Sequence, residues 1–220
     1  MQYNAEKLVK ASYVMIQIPE DLDISIKTAG INARKTIQNA ITFLTSINKP
    51  HLLTEVAKER IRRAGKKIKE ESPLTTQNLD TGFRVFRLAD SNFEEVKKAP
   101  AEYDQAQLDL FLNNVKSDRT DLDLLFGAML SWGVQLSLPM TSEEVDGKMV
   151  YSVNDGDLVA CFANDITENI VKAMADKQPL RVLFRDSCFA RDDAKINVFE
   201  TLKQLLDWSE EDAMNNIKVI

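Results

Sequence analysis

The run YVMIQI at residues 13–18 is almost entirely apolar and is closed by Pro19. Such a run is typical of a strand buried on both faces of a parallel sheet, whereas a half-exposed strand alternates apolar and polar residues. A second strand-like run, GFRVFRL, occupies residues 82–88 and follows a loop at residues 72–78. The first third of the chain is therefore predicted to begin and end with strands of one sheet.

Helical periodicity fills the interval between these two runs. Apolar spacing predicts one helix within residues 28–46, which ends before the Asn-Lys-Pro sequence at residues 48–50. A second predicted helix starts near residue 53, and its apolar residues recur every three or four positions as one stripe: Leu53, Ala57, Ile61, Ala64 and Ile68. Helices enclosed by strands indicate an α/β unit.

The second helix concentrates basic charge in an otherwise acidic protein. Residues 58–69 contain seven basic residues and one acid, a local charge of +6, whereas the whole chain carries −6. Arg62, Lys66 and Lys69 lie well away from the apolar stripe. Segregated charge of this size indicates either the solvated face of an amphipathic helix or contact with a polyanion or an acidic partner. Since no aromatic residue interrupts the basic run, stacking of single-stranded bases is not favoured.

The remainder of the chain alternates helices and strands after a polar segment at residues 89–103. An Asp-Gly turn at residues 146–147 predicts a hairpin. The other predicted elements are helices at residues 105–115, 121–132, 167–176 and 197–206 and strands at residues 158–162, 181–184 and 217–220. This alternation predicts a small parallel sheet with the hairpin appended, and two lobes whose boundary lies near residues 90–103.

The composition is that of a soluble globular protein, with 44% apolar and 28% charged residues. No apolar run is long enough to span a membrane and no signal-peptide pattern is present, so we expect a cytoplasmic protein with no membrane partner. Cys161 and Cys188 lie in strand-like runs, which predicts buried free thiols rather than a disulfide. Trp132 and Trp208 lie on predicted helices and are expected to be core residues.

Several kinds of chemistry are disfavoured by what the sequence lacks. His51 is the only histidine and follows Pro50 at a predicted helix start, so neither a histidine-based catalytic site nor a metal site is expected. The seven glycines never form Gly-x-Gly, which excludes a P-loop and a dinucleotide-binding fingerprint. The six prolines are never adjacent.

Four separated blocks, taken in order, resemble a known family. They are IQIPE at residues 16–20, KERIRRAGKKIK at 58–69, GFRVFRL at 82–88, and VLFRDS at 182–187 followed by Ile196-Asn197. Together they closely resemble the C-terminal portion of the modification subunits of type III restriction-modification systems. These subunits are site-specific DNA adenine-N6 methyltransferases of the β class.

The resemblance implies an α/β fold in which a partial Rossmann-like methyltransferase sheet is followed by a smaller α/β C-terminal lobe with a β-hairpin. Residues 1–92 would form the C-terminal part of the methyltransferase domain, with a helical insert at residues 25–50. Residues 93–103 would be a connector, and residues 104–220 an assembly domain.

The family's catalytic Asp-Pro-Pro-Tyr motif and its glycine-rich loop for S-adenosylmethionine precede the matched portion, and neither motif occurs in this chain. We therefore expect no methyl transfer by this chain alone, and weak or no cofactor binding. Related methyltransferases place an acid at the strand end that meets the cofactor ribose. Gln17 occupies the aligned position and Glu20 follows three residues later, so both are implied as cofactor contacts, the alternative being polar residues at a strand end.

The resemblance also implies partners: DNA through the intact enzyme, a second modification subunit, and the restriction subunit that carries nuclease and helicase activities. The basic residues implied as DNA or partner contacts are Arg60, Arg62, Arg63, Lys66 and Lys67. A second hypothesis is a non-catalytic protein-interaction module from a truncated modification subunit. The DNA upstream of the Met1 codon separates the two hypotheses, because only the first requires the missing motifs there.

Overall fold

A computed structural model describes residues 13–94, 114–189 and 191–220. The chain divides into two compact units between Val85 and Phe86. The described part of unit 1 contains helices, and unit 2 contains an open five-stranded mixed sheet with further helices. The protein is therefore mixed α/β, whereas the Rossmann-like assignment stays a prediction. Most of the predicted connector at residues 93–103 lies outside the described residues.

The described residues of unit 1 form three helices, α1 (Leu22–Thr28), α2 (Ile31–Ser46) and α3 (Leu53–Glu71). The Asp21 carboxylate caps α1 by accepting the backbone N–H groups of Asp23 and Ile24 at 2.8 and 3.2 Å. The backbone at the start of α3 is tied to that of α1, because the Leu53 N–H donates to the Glu20 carbonyl at 3.0 Å. These local bonds account for helices that form with little buried apolar surface.

The two strands predicted in the first third of the chain are not formed. Residues 13–18 and 82–88 belong to no helix or strand, and Val14 and Ile16 are 90% and 95% exposed. The reason is that a strand needs a neighbour for its backbone N–H and C=O groups, and the described residues of unit 1 include no strand. The helix predicted within residues 28–46 is confirmed as α2, whereas α1 was not predicted, and extended backbone at Ala29-Gly30 separates the two helices.

Unit 2 follows the predicted order of elements closely. Its helices are α4 (Asp121–Ser131), α5 (Glu168–Ala175), α6 (Asp192–Leu205) and α7 (Glu210–Asn216), and its strands are β1 (Met140–Val145), β2 (Lys148–Val153), β3 (Leu158–Cys161), β4 (Val182–Phe184) and β5 (Ile217–Val219). The strands lie in the order β1-β2-β3-β4-β5, with antiparallel pairing from β1 to β3 and parallel pairing from β3 to β5. The predicted hairpin and the small parallel sheet are confirmed. Helix α7 was not predicted, and the helix predicted at residues 105–115 lies almost entirely outside the described residues.

The sheet of unit 2 is covered by helices on both faces. Val182 and Phe184 of β4 pack with α5, α6 and α7, whereas Leu183 between them packs with α4 on the opposite face. Trp208 packs against the first cluster and Trp132 against the second, as expected of core residues, but both are half-buried and lie outside the helices on which they were predicted. In the described ranges, no helix is both long and apolar enough to cross a membrane.

The two cysteines are free and buried, as predicted. Cys161 ends β3, and Cys188 lies in a short 3-10 helix at Asp186–Cys188. The Cys188 Sγ atom lies 3.5 Å from the Cys161 carbonyl oxygen. Burial raises the pKa of Cys188 to about 12. Both thiols are therefore packing groups rather than nucleophiles.

Candidate functional site

Helix α3 contains the basic segment, and its apolar face is only partly buried. Gly65 is buried, most of the predicted apolar stripe is half-buried, and Ala64 is exposed. The Arg63 guanidinium lies 4.5 Å from the centre of the Phe43 ring, which joins α3 to α2 through a cation–π contact.

Ion pairs within α3 reduce the basic charge seen in the sequence. The helix as a whole holds seven basic and four acidic residues, a net charge of +3, because Glu55, Glu70 and Glu71 lie outside the most basic run. The pairs within the helix are Lys58–Glu55, Arg63–Glu59 at 2.8 Å, Arg62–Glu59 at 3.7 Å, Lys66–Glu70 at 3.7 Å and Lys67–Glu71 at 3.5 Å. The Arg63 hydrogen bond to Glu59, together with the charges of Arg63 and Arg62, lowers the pKa of the Glu59 carboxyl.

Three of these cations surround a cleft of about 470 Å³ on α3. The residues that line the cleft are Arg62, Lys66, Lys69, Glu70 and Thr81. The Arg62 guanidinium also lies 5.6 Å from the centre of the Phe83 ring. The chain that leaves α3 therefore turns back beside the basic face and supplies a hydroxyl and an aromatic ring to it.

The predicted basic contacts separate into two groups. Arg62 and Lys66 line the cleft, whereas Arg63 and Lys67 point their charge at Phe43, Glu59 or Glu71 and do not line it. Arg60 is exposed on the same helix.

Three residues that line the cleft, Lys69, Glu70 and Thr81, were absent from the predicted contacts, as was Phe83, whose ring contacts Arg62. Lys69 could have been found by its spacing, since Arg62, Lys66 and Lys69 are separated by four and three positions and so share one helix face. Thr81 and Phe83 carried no such signal, because their place depends on how the chain returns after α3.

The two predicted cofactor contacts, Gln17 and Glu20, are both exposed and make separate local hydrogen bonds. The Gln17 side-chain amide donates to the Ile18 carbonyl at 3.1 Å. The Glu20 carboxylate accepts a hydrogen bond from the Ser25 hydroxyl at the start of α1. Both residues therefore remain predicted contacts, and a ligand at Glu20 would have to compete with Ser25.

The His51 side chain, which lies just before α3, links α1 to α2. Its Nδ1 atom lies 2.9 Å from Asp23 Oδ2 in α1, and its Nε2 atom lies 2.9 Å from Thr45 Oγ1 in α2. The Thr45 hydroxyl also donates to the Ile41 carbonyl at 2.9 Å within its own helix. Asp23, His51 and Thr45 therefore resemble the acid, imidazole and hydroxyl of a catalytic triad. Because the Thr45 hydroxyl donates its proton to a helix carbonyl, the three side chains form a structural link instead.

Unit 2 has a smaller cavity of about 250 Å³ at the amino-terminal side of β4. It is lined by Trp132, Arg181, Asn215 and Lys218. Two cations and an indole also suit an anionic ligand, so this cavity is the alternative candidate for an anion-binding site. The described parts of the chain contain no group of three or more histidine, cysteine or acidic side chains placed to hold a metal.

Comparison with known proteins gives no relative: no protein-family model matches the chain, and no curated protein is significantly similar to it.

Proposed function

We propose that this chain is the C-terminal part of a site-specific DNA adenine-N6 methyltransferase of a type III restriction-modification system. It would contribute part of the cofactor-binding sheet through unit 1 and an assembly domain through unit 2. The sequence support is the occurrence of four family-like blocks in order, of which two are the strand-like runs at residues 13–18 and 82–88.

The observation that carries the proposal is the exposure of the first of these runs. Val14, Ile16 and Ile18 are exposed, and residues 13–18 form no strand. Burying one Val or Ile side chain is worth about 1.5–3 kcal/mol, so a water-exposed run of this composition is far from its most stable environment. Neighbouring strands from the catalytic half of a methyltransferase sheet would supply both the backbone partners and the apolar cover.

In the intact enzyme, the part assigned to this chain is binding rather than catalysis. An adenine rotated out of the duplex must be held and hydrogen-bonded by the catalytic motif, and that motif is absent from this sequence. The Glu20 carboxylate would accept hydrogen bonds from the ribose hydroxyls of S-adenosylmethionine after it releases Ser25. Gln17 would support the same ribose edge.

The decisive experiment joins the chain to the polypeptide encoded immediately upstream of its Met1 codon. An open frame there that encodes Asp-Pro-Pro-Tyr and the glycine-rich loop is the expected finding, and the joined protein should transfer tritium from labelled S-adenosylmethionine to adenine in DNA. The present chain alone should give only background counts. Reproducible methylation by the chain alone, or no methylation by the joined protein, would overturn the proposal.

A variant of the joined protein tests the role of Glu20. Glu20→Ala should raise the KM for S-adenosylmethionine by about tenfold or more, since a hydrogen bond to a charged group is worth about 1.5–3 kcal/mol. Glu144→Ala removes an exposed acid from β1 of unit 2 and should leave KM unchanged. Equal KM values for the two variants would show that Glu20 does not contact the cofactor.

The second candidate, an interaction module without enzymatic activity, is favoured by the completeness of unit 2. Its sheet is covered on both faces by its own helices and does not require a further domain. A joined protein that assembles with a partner but transfers no methyl group would favour this candidate.

A further inference from the structure

We propose that the α3 cleft is a phosphate-binding site that holds the backbone of duplex DNA through Arg62, Lys66 and Lys69. This inference deepens the proposed function and rests on it for the choice of DNA as the polyanion. The cleft itself is argued from charge, spacing and the availability of donors.

The cleft has a net positive charge in an acidic protein. Three of its five lining side chains are cations, and Glu70 is the single acid. The ion pairs of Arg62 with Glu59 and of Lys66 with Glu70 are both 3.7 Å long, near the limit for such a pair. Lys69 has no carboxylate within ion-pair distance among the described residues. Donors on all three side chains are therefore available to a ligand.

Spacing favours a linear polyanion over a single small anion. Seven helical positions separate Arg62 from Lys69, which places the three cations in a row about 10 Å long. The phosphates of DNA form a continuous line of negative charge, so each of the three cations can contact a different phosphate. Phe83 holds the Arg62 guanidinium on one side, and the Thr81 hydroxyl adds a neutral donor to the same cleft.

The absence of an aromatic residue from the lining of the cleft favours backbone contact over base stacking. Phe83 is engaged beneath Arg62, and the residues that line the cleft are otherwise polar. Contacts of this kind position a protein on DNA without reading its sequence. We therefore expect binding that varies little with base sequence.

The test measures the affinity of the full chain for a fluorescently labelled DNA duplex by anisotropy across a range of salt concentrations. Three phosphate contacts predict a slope of log K against log salt of about −2.7, and hence about a 40-fold loss of affinity between roughly 50 and 200 mM salt. Each of the variants R62A, K66A and K69A should make the slope shallower by about 0.9. The triple variant should lose nearly all salt-dependent binding. Circular dichroism confirms that α3 remains helical in each variant.

Two control variants test whether DNA binding depends on the cleft rather than on other cations of the chain. Lys35→Ala removes an exposed cation from α2 of the same unit, and it should leave the slope within error of the parent. The double variant Arg181→Ala, Lys218→Ala removes both basic side chains from the cavity of unit 2, and it should also leave the slope unchanged.

The outcomes that overturn the inference are distinct from failure of the proposed function. An unchanged slope in the triple variant, loss of binding in the Arg181/Lys218 variant instead, or a parent dissociation constant weaker than about 10⁻⁴ M at low salt would each remove the cleft as a DNA site. Tighter binding to poly-glutamate than to DNA would assign the cleft to an acidic protein. Because the assay uses no methyl transfer, an inactive joined protein leaves this result standing.

Discussion

Unit 1 and unit 2 differ in how their local structure is supported. Among the described residues, unit 1 fully buries two apolar side chains larger than alanine, Leu22 and Leu44, whereas unit 2 buries a large cluster on each face of its sheet. Unit 1 nevertheless contains the longest described helix, α3. Helices of unit 1 are held by caps, ion pairs and the His51 link, while its strand-like runs stay extended.

The difference follows from where each element finds its hydrogen-bond partners. A helix satisfies most of its backbone groups within one segment, so α1 to α3 form from local signals. A strand takes its partners from another segment, and β3 has β2 and β4 on its two sides. Residues 13–18 have an equally apolar sequence but no partner strand within residues 13–94, 114–189 and 191–220. Apolar pattern alone therefore does not make a strand.

The largest expected effect is a contrast in hydrogen exchange between the two units. Amides of β3 and β4 should exchange at least about 10³ times more slowly than those of residues 13–18, because the former open only with unit 2, whose unfolding should require about 5 kcal/mol or more. Exchange mass spectrometry of the purified full chain measures this directly. Equal protection in a strictly monomeric sample would abolish the distinction.

A substitution at the centre of β4 should weaken unit 2 by the next largest amount. Phe184 is fully buried in one cluster with residues of α5 and α6, so Phe184→Ala should lower the free energy of unfolding of unit 2 by about 3–5 kcal/mol. Urea titration and the labelling rate of the buried Cys188 thiol report this change. Leu180→Ala, at a position that is 64% exposed, should stay within about 0.5 kcal/mol of the parent. A large loss of α3 helicity in Phe184→Ala would show that the units are coupled.

A smaller effect is expected at the start of α4. Thr120 and Asp123 form a capping box, with Asp123 Oδ2 accepting the Thr120 N–H at 2.8 Å and the Thr120 hydroxyl at 2.7 Å. Removing a cap typically costs about 1 kcal/mol, so Asp123→Ala should destabilise unit 2 by about that amount at neutral pH. Chemical denaturation at several pH values gives the measurement.

The pH dependence of this cap has a definite sign. The N–H and hydroxyl of Thr120 lower the pKa of the Asp123 carboxyl in the folded state. The stabilisation is therefore present above the ordinary carboxyl pKa of about 3.9 and is lost as the pH falls below it. The stability difference between the parent and Asp123→Ala should shrink accordingly in acid. A difference that persists unchanged at pH 3 would contradict this account.

The smallest effect should appear in unit 1. His51→Ala removes hydrogen bonds to Asp23 and Thr45 that are largely exposed, so it should cost about 0.5–1.5 kcal/mol of local stability. Faster amide exchange in α1 with unchanged exchange in β3 and β4 is the expected pattern. Lys49→Ala, an exposed neighbour, provides the control. Faster exchange in the strands would mean that the histidine link supports more than its own unit.

Prediction from sequence succeeded for elements whose sequence pattern and hydrogen-bond partners lie close together along the chain. The Asp146-Gly147 turn has positive φ angles of 52° and 74°, which suits a tight hairpin turn, and it pairs β1 with β2. Strands β3 to β5 were found because each is a short, mainly apolar run bounded by polar residues. Helix α7 was missed because Ala213 is its single fully buried residue, so apolar periodicity is weak over its short length.

The candidate site was only partly predictable for the same reason. Arg62, Lys66 and Lys69 share a helix face, and the fixed rotation per residue makes that visible in the sequence. Thr81 lines the cleft and Phe83 contacts Arg62 because the chain changes direction after α3, and no spacing rule encodes that change. The ion pairs that neutralise part of the basic run were equally hidden, since Glu70 and Glu71 follow the run rather than interrupt it.

The exposed run at residues 13–18 also bears on the lifetime of the protein in a cell. Six residues of high β propensity with no charge and no proline have the composition of segments that stack between chains into cross-β aggregates. Pro19 and Glu20 directly after the run interrupt such stacking on one side. Molecular chaperones and proteases act on segments of this kind when they remain uncovered. We therefore expect copies of the chain whose run is uncovered to be degraded. The cellular amount of the chain should then match the amount of the polypeptide segment that covers the run.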